Sequence, residues 1–305
     1  MTERRAAVGR YLSPLRYPGG KAKIANFLKL VLIENDLLGL DYVEPYAGGA
    51  SVGLALLVED YASHIHINDI NAGVYAFWNS VLTETDALCE LIERTPVTVD
   101  EWRRQREIHR DPAASGFELA FATFFLNRTN RSGIISGGVI GGLDQTGPWK
   151  IDARYNKGEL VQRIRKVARF RNRISLTNDD ATAMLHSWNV NSGSGAVLYL
   201  DPPYYVKGGD LYDNFYSHED HLLVASLVAN LPHPWIVSYD AAPAIIDMYT
   251  GEAMQRYAVQ YSAATRIYGS EVVFTSANLH VPDIAPASVS NRQVAYAVAG
   301  SLFRE

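Results

Sequence analysis

Apolar and polar positions along the chain fall into an alternation of short strands and longer helices. DYVEPY (41–46) reads as a strand leaving into a turn, and SVGLALLVED (51–60) as a helix. HIHINDI (64–70) is a second strand and NAGVYAFWNSVL (71–82) a second helix. The rhythm resumes with RISLTN (173–178), the buried-type run GAVLYL (195–200), and a helix at HEDHLLVASLVANL (218–231). Ser217 and Asp220 precede that helix at capping-box spacing. PWIVSYD (234–240), RYAVQYSA (256–263) and EVVFTSANL (271–279) close the series as strands. Strands separated by helices predict βαβ units, an α/β fold and a largely parallel, Rossmann-like sheet. Residues 76–173 break the rhythm with long helical runs and a Gly-rich stretch, SGIISGGVIGGLDQTG (132–147). The expected organisation is a discontinuous domain, 1–75 with 174–305, carrying a mostly helical inserted domain at 76–173.

Composition narrows the class. The 305 residues, 48% hydrophobic and 20% charged, are ordinary for a soluble globular chain of one large or two modest domains. No stretch approaches the ~20 apolar residues that span a bilayer, and the N-terminus lacks the apolar run of a secretory signal. A single cysteine, Cys89, leaves no internal disulfide and no zinc site built on several thiolates. These features point to the cytoplasm. The net charge of −5 weighs, as an average, against a nucleic-acid partner. Its distribution reverses that inference, because Arg94–Arg173 carries +8 within a remainder of −13. The densest part is Lys150–Arg173, where nine of 24 residues are basic. There Leu160, Ile164, Val167 and Ala168 share one helical face and Arg163, Lys166 and Arg169 point largely outward. Such a face is either simply solvated or a site for a polyanion.

Three short segments carry candidate chemistry. In EPYAGGASV, Glu44, Pro45, Tyr46 and Ala47 lead from a strand into the Gly48–Gly49 turn, which opens a helix and lets backbone approach a ligand. Asp69 ends the next strand, where an acid accepts hydrogen bonds from ribose hydroxyls; a structural turn with a capping Asp is the competing reading. The segment is not G-x-G-x-x-G, so a nucleoside cofactor without a pyrophosphate fits better than a dinucleotide. In DPPYY, Asp201 and Tyr204 flank Pro202 and Pro203 just after a buried-type strand. Neither proline donates to a ladder, and each restricts its neighbour, so the segment forms a stiff hook rather than more sheet. A carboxylate, a carbonyl and a ring then share the crevice where open α/β sheets bind ligands. In RYPGGKAK, Tyr17, Gly19, Gly20 and Lys21 have neither the spacing nor the hydroxyl of a phosphate-binding loop.

Together PLRYPGGKAK, YVEPYAGGASV, HINDINAGVYAFW and LYLDPPYY resemble, in order and over nearly the whole chain, the Dam-like family of adenine-specific DNA methyltransferases. The resemblance implies S-adenosylmethionine as cofactor, S-adenosylhomocysteine as product, and no metal. Tyr17, Lys21, Asp69 and Asp201 would contact the cofactor, with Gly19 and Gly20 beside Lys21. Glu44, Pro45, Tyr46, Ala47, Gly48 and Gly49 would lie by its methionine part. Asp180 stands where the family places a carboxylate near the adenine, with Asp179 an equal candidate. Asp201, Pro202, Pro203 and Tyr204 would hold the target base. The implied partner is double-stranded DNA, bound by a monomer or weak dimer; from the charge pattern, Arg163, Lys166 and Arg169 form a basic face for it, and Arg103, Arg104, Arg106, Arg128 and Arg131 are candidates for phosphate or guanine contacts. A cognate restriction endonuclease would act separately. FFLNRTNRSG resembles the family's LNR-containing segment, but after Ser132 the aromatic–Asn–Pro pattern is absent, so a GATC target is not implied.

The chemistry can be argued from the residues themselves. An adenine amino nitrogen is a poor nucleophile because its lone pair is delocalised. A carboxylate and a carbonyl accepting its two N–H bonds favour the positively charged nitrogen that develops as it attacks a sulfonium methyl. The base must first leave the duplex, and Tyr204 would stack on it. Ring-carbon methylation of cytosine is excluded, since Cys89 lies in a helical context with no preceding proline. Cytosine amino methylation, RNA methylation and a catalytically silent DNA-binding relative are the remaining alternatives.

Overall fold

A computed structural model of the protein describes residues 12–16, 21–190, 195–206, 216–262 and 266–301, without the side chains of 258–262 and 266–269. Tyr17, Gly19 and Gly20 lie outside the described residues. All seven segments expected as strands form one sheet: β1 (Asp41–Glu44), β2 (Ile65–Asn68), β3 (Ile174–Thr177), β4 (Ala196–Leu200), β5 (Trp235–Asp240), β6 (Ala253–Ser262) and β7 (Arg266–Thr275). Their order is β3-β2-β1-β4-β5-β7-β6. The first five pair in parallel, whereas β7 runs antiparallel to β5 and β6 antiparallel to β7. For β6 and β7 the reason lies in chain length: parallel neighbours need a crossover of about a dozen residues or more. Only residues 263–265 separate β6 from β7.

Alternation along the strands sorts the core onto two faces. Tyr42, Val197, Tyr199, Ile236 and Val273 pack into one cluster. Val43, Ala196, Leu198, Leu200, Val237 and Val272 pack into the other. The second is covered by α8 (Ala181–Val190), α9 (His218–Ala229) and α10 (Pro243–Met248), with Ser217 and Asp220 forming the expected capping box on α9. The first cluster is covered by α1 (Ala25–Glu34) and α2 (Ser51–Val58) and continues into the helices between β2 and β3. These are α3 (Ala72–Thr83), α4 (Thr85–Arg94), α5 (Val99–Arg110), α6 (Gly116–Thr129) and α7 (Lys157–Ala168). Phe77, Phe121, Phe124, Phe125 and Ile164 thus belong to the same apolar core as Tyr42 and Tyr199. On α7 the buried face is Leu160, Val161, Ile164, Val167 and Ala168, one residue wider than the sequence pattern indicates. Helix α11 (Asn291–Ser301) lies against α1.

Chain direction across the sheet creates the site. From β1 the path runs outward through β2 to β3, then returns to β4 on the other flank of β1 and continues to β5. The turn after β1 and the hook after β4 therefore diverge from adjacent strand ends, leaving a crevice between them.

Candidate active site

The crevice is lined by Lys21, Glu44, Pro45, Tyr46, Ala47, Gly48, Gly49, Asp69, Asp201 and Pro203, uniting four stretches separated in sequence. The turn is held from within. The Asp69 carboxylate accepts the Gly48 N–H at 2.8 Å and the Asn71 N–H at 2.9 Å. Trp78 Nε1 donates to the Gly48 carbonyl at 2.9 Å. Gly48 itself takes φ +46°, a conformation glycine adopts at little cost. Two of the four lone-pair sites of Asp69 remain for a ligand. Burial raises its pKa to about 6 despite the two backbone bonds. Burial also raises Glu44 to about 8, with Asp201 adding to the shift and the Gly53 N–H at 3.2 Å opposing it.

The hook presents Asp201 at the mouth, its side chain 22% exposed. Ser238 Oγ donates to Asp201 Oδ1 at 2.9 Å, and Lys21 Nζ stands 3.2 Å from the same oxygen. Lys21 also pairs with Glu271 at 3.1 Å and donates to the Tyr204 hydroxyl at 3.0 Å, which donates onward to Glu271 at 2.7 Å. Tyr257 gives Glu271 a further bond at 2.6 Å. Burial opposes the charge on Lys21, but Asp201 and Glu271 outweigh it and hold its pKa above the ordinary value. Burial likewise opposes charge on both carboxyls. For Asp201 it prevails and the pKa is raised, whereas Lys21 and two tyrosine hydroxyls keep Glu271 below its ordinary value. Asp240 accepts the Tyr205 N–H at 2.9 Å and the Val206 N–H at 3.2 Å, fixing the chain that follows the hook.

Other expected residues lie differently. Tyr204 is 4% exposed with its hydroxyl engaged by Lys21 and Glu271, so stacking on a base requires its ring face to be uncovered. Pro202 is buried beside it. Asp179 and Asp180 are both exposed, and Asp180 caps its own helix through the Thr182 N–H at 2.8 Å, while Ala181 lines the crevice. Arg103 and Arg104 are exposed and pair with Asp100 and Glu101 one turn earlier. Arg106 lies over the Trp102 ring. Arg128 is buried, donates to the Arg154 carbonyl, and is lowered to about 9, first by burial and then by Arg16 and Arg163. Arg163 pairs with Glu159 and donates to the Ser13 carbonyl at 3.1 Å. Arg131 and Arg169 are exposed, and Lys166 is half-buried.

Sequence reasoning missed Asn68, Ser238, Glu271 and the wall Gly133–Ser136. Asn68, fully buried, donates to the carbonyls of Pro45 (3.0 Å) and Asp179 (2.9 Å). It accepts from the Thr177 hydroxyl (2.7 Å) and the Asp179 N–H (2.9 Å), tying the first turn to the end of β3. The available signal was a polar residue inside a buried-type run: Asn68 in HIHIND, Ser238 in WIVSY, and Glu271 at the head of EVVFT. Among the described residues no group of His, Cys, Asp and Glu could hold a metal ion.

A sheet of this order, with a glycine turn after its first strand and an acidic hook after its fourth, has the Rossmann-like fold of S-adenosylmethionine-dependent methyltransferases. The chain belongs to the D12 class N6 adenine-specific DNA methyltransferase family, whose model matches residues 17–264. The chain is also similar to several solved structures. A candidate RNA methyltransferase from Pyrococcus horikoshii is 8% identical, with 86% of each chain covered and a TM-score of 0.42. The rRNA methyltransferase AviRa from Streptomyces viridochromogenes is 12% identical over 90% of this chain and 92% of that one, with a TM-score of 0.39. A SAM-dependent methyltransferase from Agrobacterium tumefaciens is 9% identical over 85% of this chain and 63% of that one, also at 0.39. The last comparison spans less than two thirds of the relative, and nothing about substrate follows from any of the three. No curated protein matches the chain at significance.

Proposed function

We propose that this protein transfers a methyl group from S-adenosylmethionine to the 6-amino group of an adenine extruded from duplex DNA. Four features of the crevice support the cofactor. Helix α2 opens at Ala50 with no side-chain cap, so the Ser51 and Val52 amides at its positive end suit a carboxylate. The two spare sites of Asp69 suit ribose hydroxyls. Ile70, Ile134 and Ile135 supply apolar surface for a purine, and the carboxylate of Asp201 suits a nearby sulfonium. When bound, the cofactor supplies the electrophilic methyl group.

The observation that carries the reading is the buttressed Asp201. Ser238 and Lys21 orient its carboxylate, so one oxygen is held by protein while the other stays available to accept an amino N–H. The Pro202 carbonyl would take the second N–H. Acceptors set in place before reaction stabilise the developing ammonium without reorganising, and one such group is worth about 3–4 kcal/mol. Residues 76–173 would form the target-recognition unit on the catalytic body of 1–75 and 174–305. Arg131, Lys166, Arg169 and, on α5, Arg103, Arg104 and Arg106 are among its basic side chains at or near the surface and would meet phosphates or base edges.

The test is to map methylated bases in DNA from cells expressing the chain or its Asp201→Ala variant. We expect N6-methyladenine at a recurring site with the native chain and background with the variant. Near-normal adenine methylation by Asp201→Ala, or methylation of cytosine or RNA instead, would overturn the proposal.

A further inference from the structure

Helix α6 ends in a run of buried polar side chains. Asn127 is 1% exposed, and Thr129 and Asn130 are fully buried. A buried amide is costly unless its hydrogen bonds are met, so the partners reveal what the run holds. Asn127 accepts the Arg16 N–H at 2.7 Å and donates to the Arg16 carbonyl at 2.6 Å and the Gly133 carbonyl at 2.9 Å. Asn130 accepts from Trp102 Nε1 at 2.6 Å and donates to the carbonyls of Ile134 (3.0 Å) and Ile135 (2.8 Å). Gly133 takes φ +81°, and a Cβ there would stand 2.5 Å from the Arg16 carbonyl oxygen. The Asn127 amide thus pins two distant stretches together, and the Asn130 amide ties the second of them to Trp102 on α5. One carries Arg16, five residues before Lys21. The other is Gly133–Ser136, which walls the crevice.

We propose that Asn127 and Asn130 are positioning residues for the cofactor site. They sit in the segment whose basic residues and LNR motif suggest DNA contact, yet their side chains are spent inward on the backbone of the crevice wall. Arg128 between them is likewise committed to the Arg154 carbonyl, and Arg131 is the first exposed side chain after them. The end of α6 therefore sets cofactor affinity and leaves DNA contact to Arg131 and to the surface side chains of other elements. This inference rests on the crevice being the S-adenosylmethionine site.

The test uses the full chain with Asn127→Asp, which keeps the acceptor and the volume but removes both donated bonds and faces a carboxylate to two carbonyls. We expect the Kd for S-adenosylhomocysteine, measured by calorimetry, to rise roughly tenfold or more. The KM for S-adenosylmethionine should rise with it. DNA affinity measured without cofactor, and kcat at saturating cofactor, should stay within about threefold. Asn130→Asp should do the same, because it keeps the Trp102 bond and loses only the two to the wall. Unchanged cofactor affinity in the folded variants, or an equal loss of DNA affinity, would overturn the inference. A third readout needs no variant: S-adenosylhomocysteine should slow amide exchange at 131–136 in the native chain, and no slowing there also refutes it. Failure of the native chain to bind S-adenosylhomocysteine overturns the cofactor reading itself, and this inference with it.

Discussion

Glu44 is a carboxyl that folding keeps protonated, and that makes stability depend on pH in a direction opposite to most acids. It is 4% exposed, it accepts one backbone N–H, and burial with the nearby Asp201 raises its pKa from 4.5 to about 8. Between those values the native state holds a proton that the unfolded chain has released. Stability is therefore complete below the unfolded pKa and falls as pH rises toward 8, by about 1.4 kcal/mol per pH unit. Over pH 5 to 8 the loss amounts to about 4 kcal/mol, a large share of a domain's net stability. Glu44→Gln replaces the neutral acid by a neutral isostere whose oxygen still accepts from Gly53. Urea unfolding of both proteins at pH 5, 6, 7 and 8 isolates the contribution, because every other titrating group is common to the two. The variant should gain on the native chain by about 4 kcal/mol across the series. A constant difference from pH 5 to 8 would refute the reasoning.

Asn68→Ala should lower stability by about 2–4 kcal/mol, since it strands the Thr177 hydroxyl and both backbone groups of Asp179 in partly buried positions. A melting temperature within a degree of the native value would contradict it. Reversing Lys166 and Arg169 to Glu should weaken DNA binding and reduce the slope of log affinity against log salt by about 0.9 for each phosphate no longer neutralised. An unchanged slope would return that face of α7 to a merely solvated role. Arg163 is left out of that test because its bonds to Glu159 and the Ser13 carbonyl give it a share in the fold.

Local sequence carried much of this molecule. Short apolar runs marked each of the seven strands, although β6 begins three residues and β7 five residues before the segments expected, and the Ser217–Asp220 spacing marked a capping box. Gly48–Gly49, Asp69, Lys21 and Asp201 were legible because turns, strand ends and prolines restrict backbone by their own chemistry. That information is local, and it stops where partners are distant. Glu271 and Ser238 read as incidental polar residues within apolar strands until the sheet order sets β5 and β7 on one side of β4. Asn127 and Asn130 read as part of a basic, DNA-facing segment until packing turns their amides toward Arg16 and the Gly133 wall. Arg128 and Tyr204 show the same limit, for exposure is set by neighbours more than a hundred residues away in the case of Tyr204 and Lys21. Residue types and spacings determined the elements and many of the groups that line the crevice. Only the tertiary structure decided which charges meet, which are buried and which face solvent, because desolvation and hydrogen bonding act between atoms close in space whatever their separation along the chain.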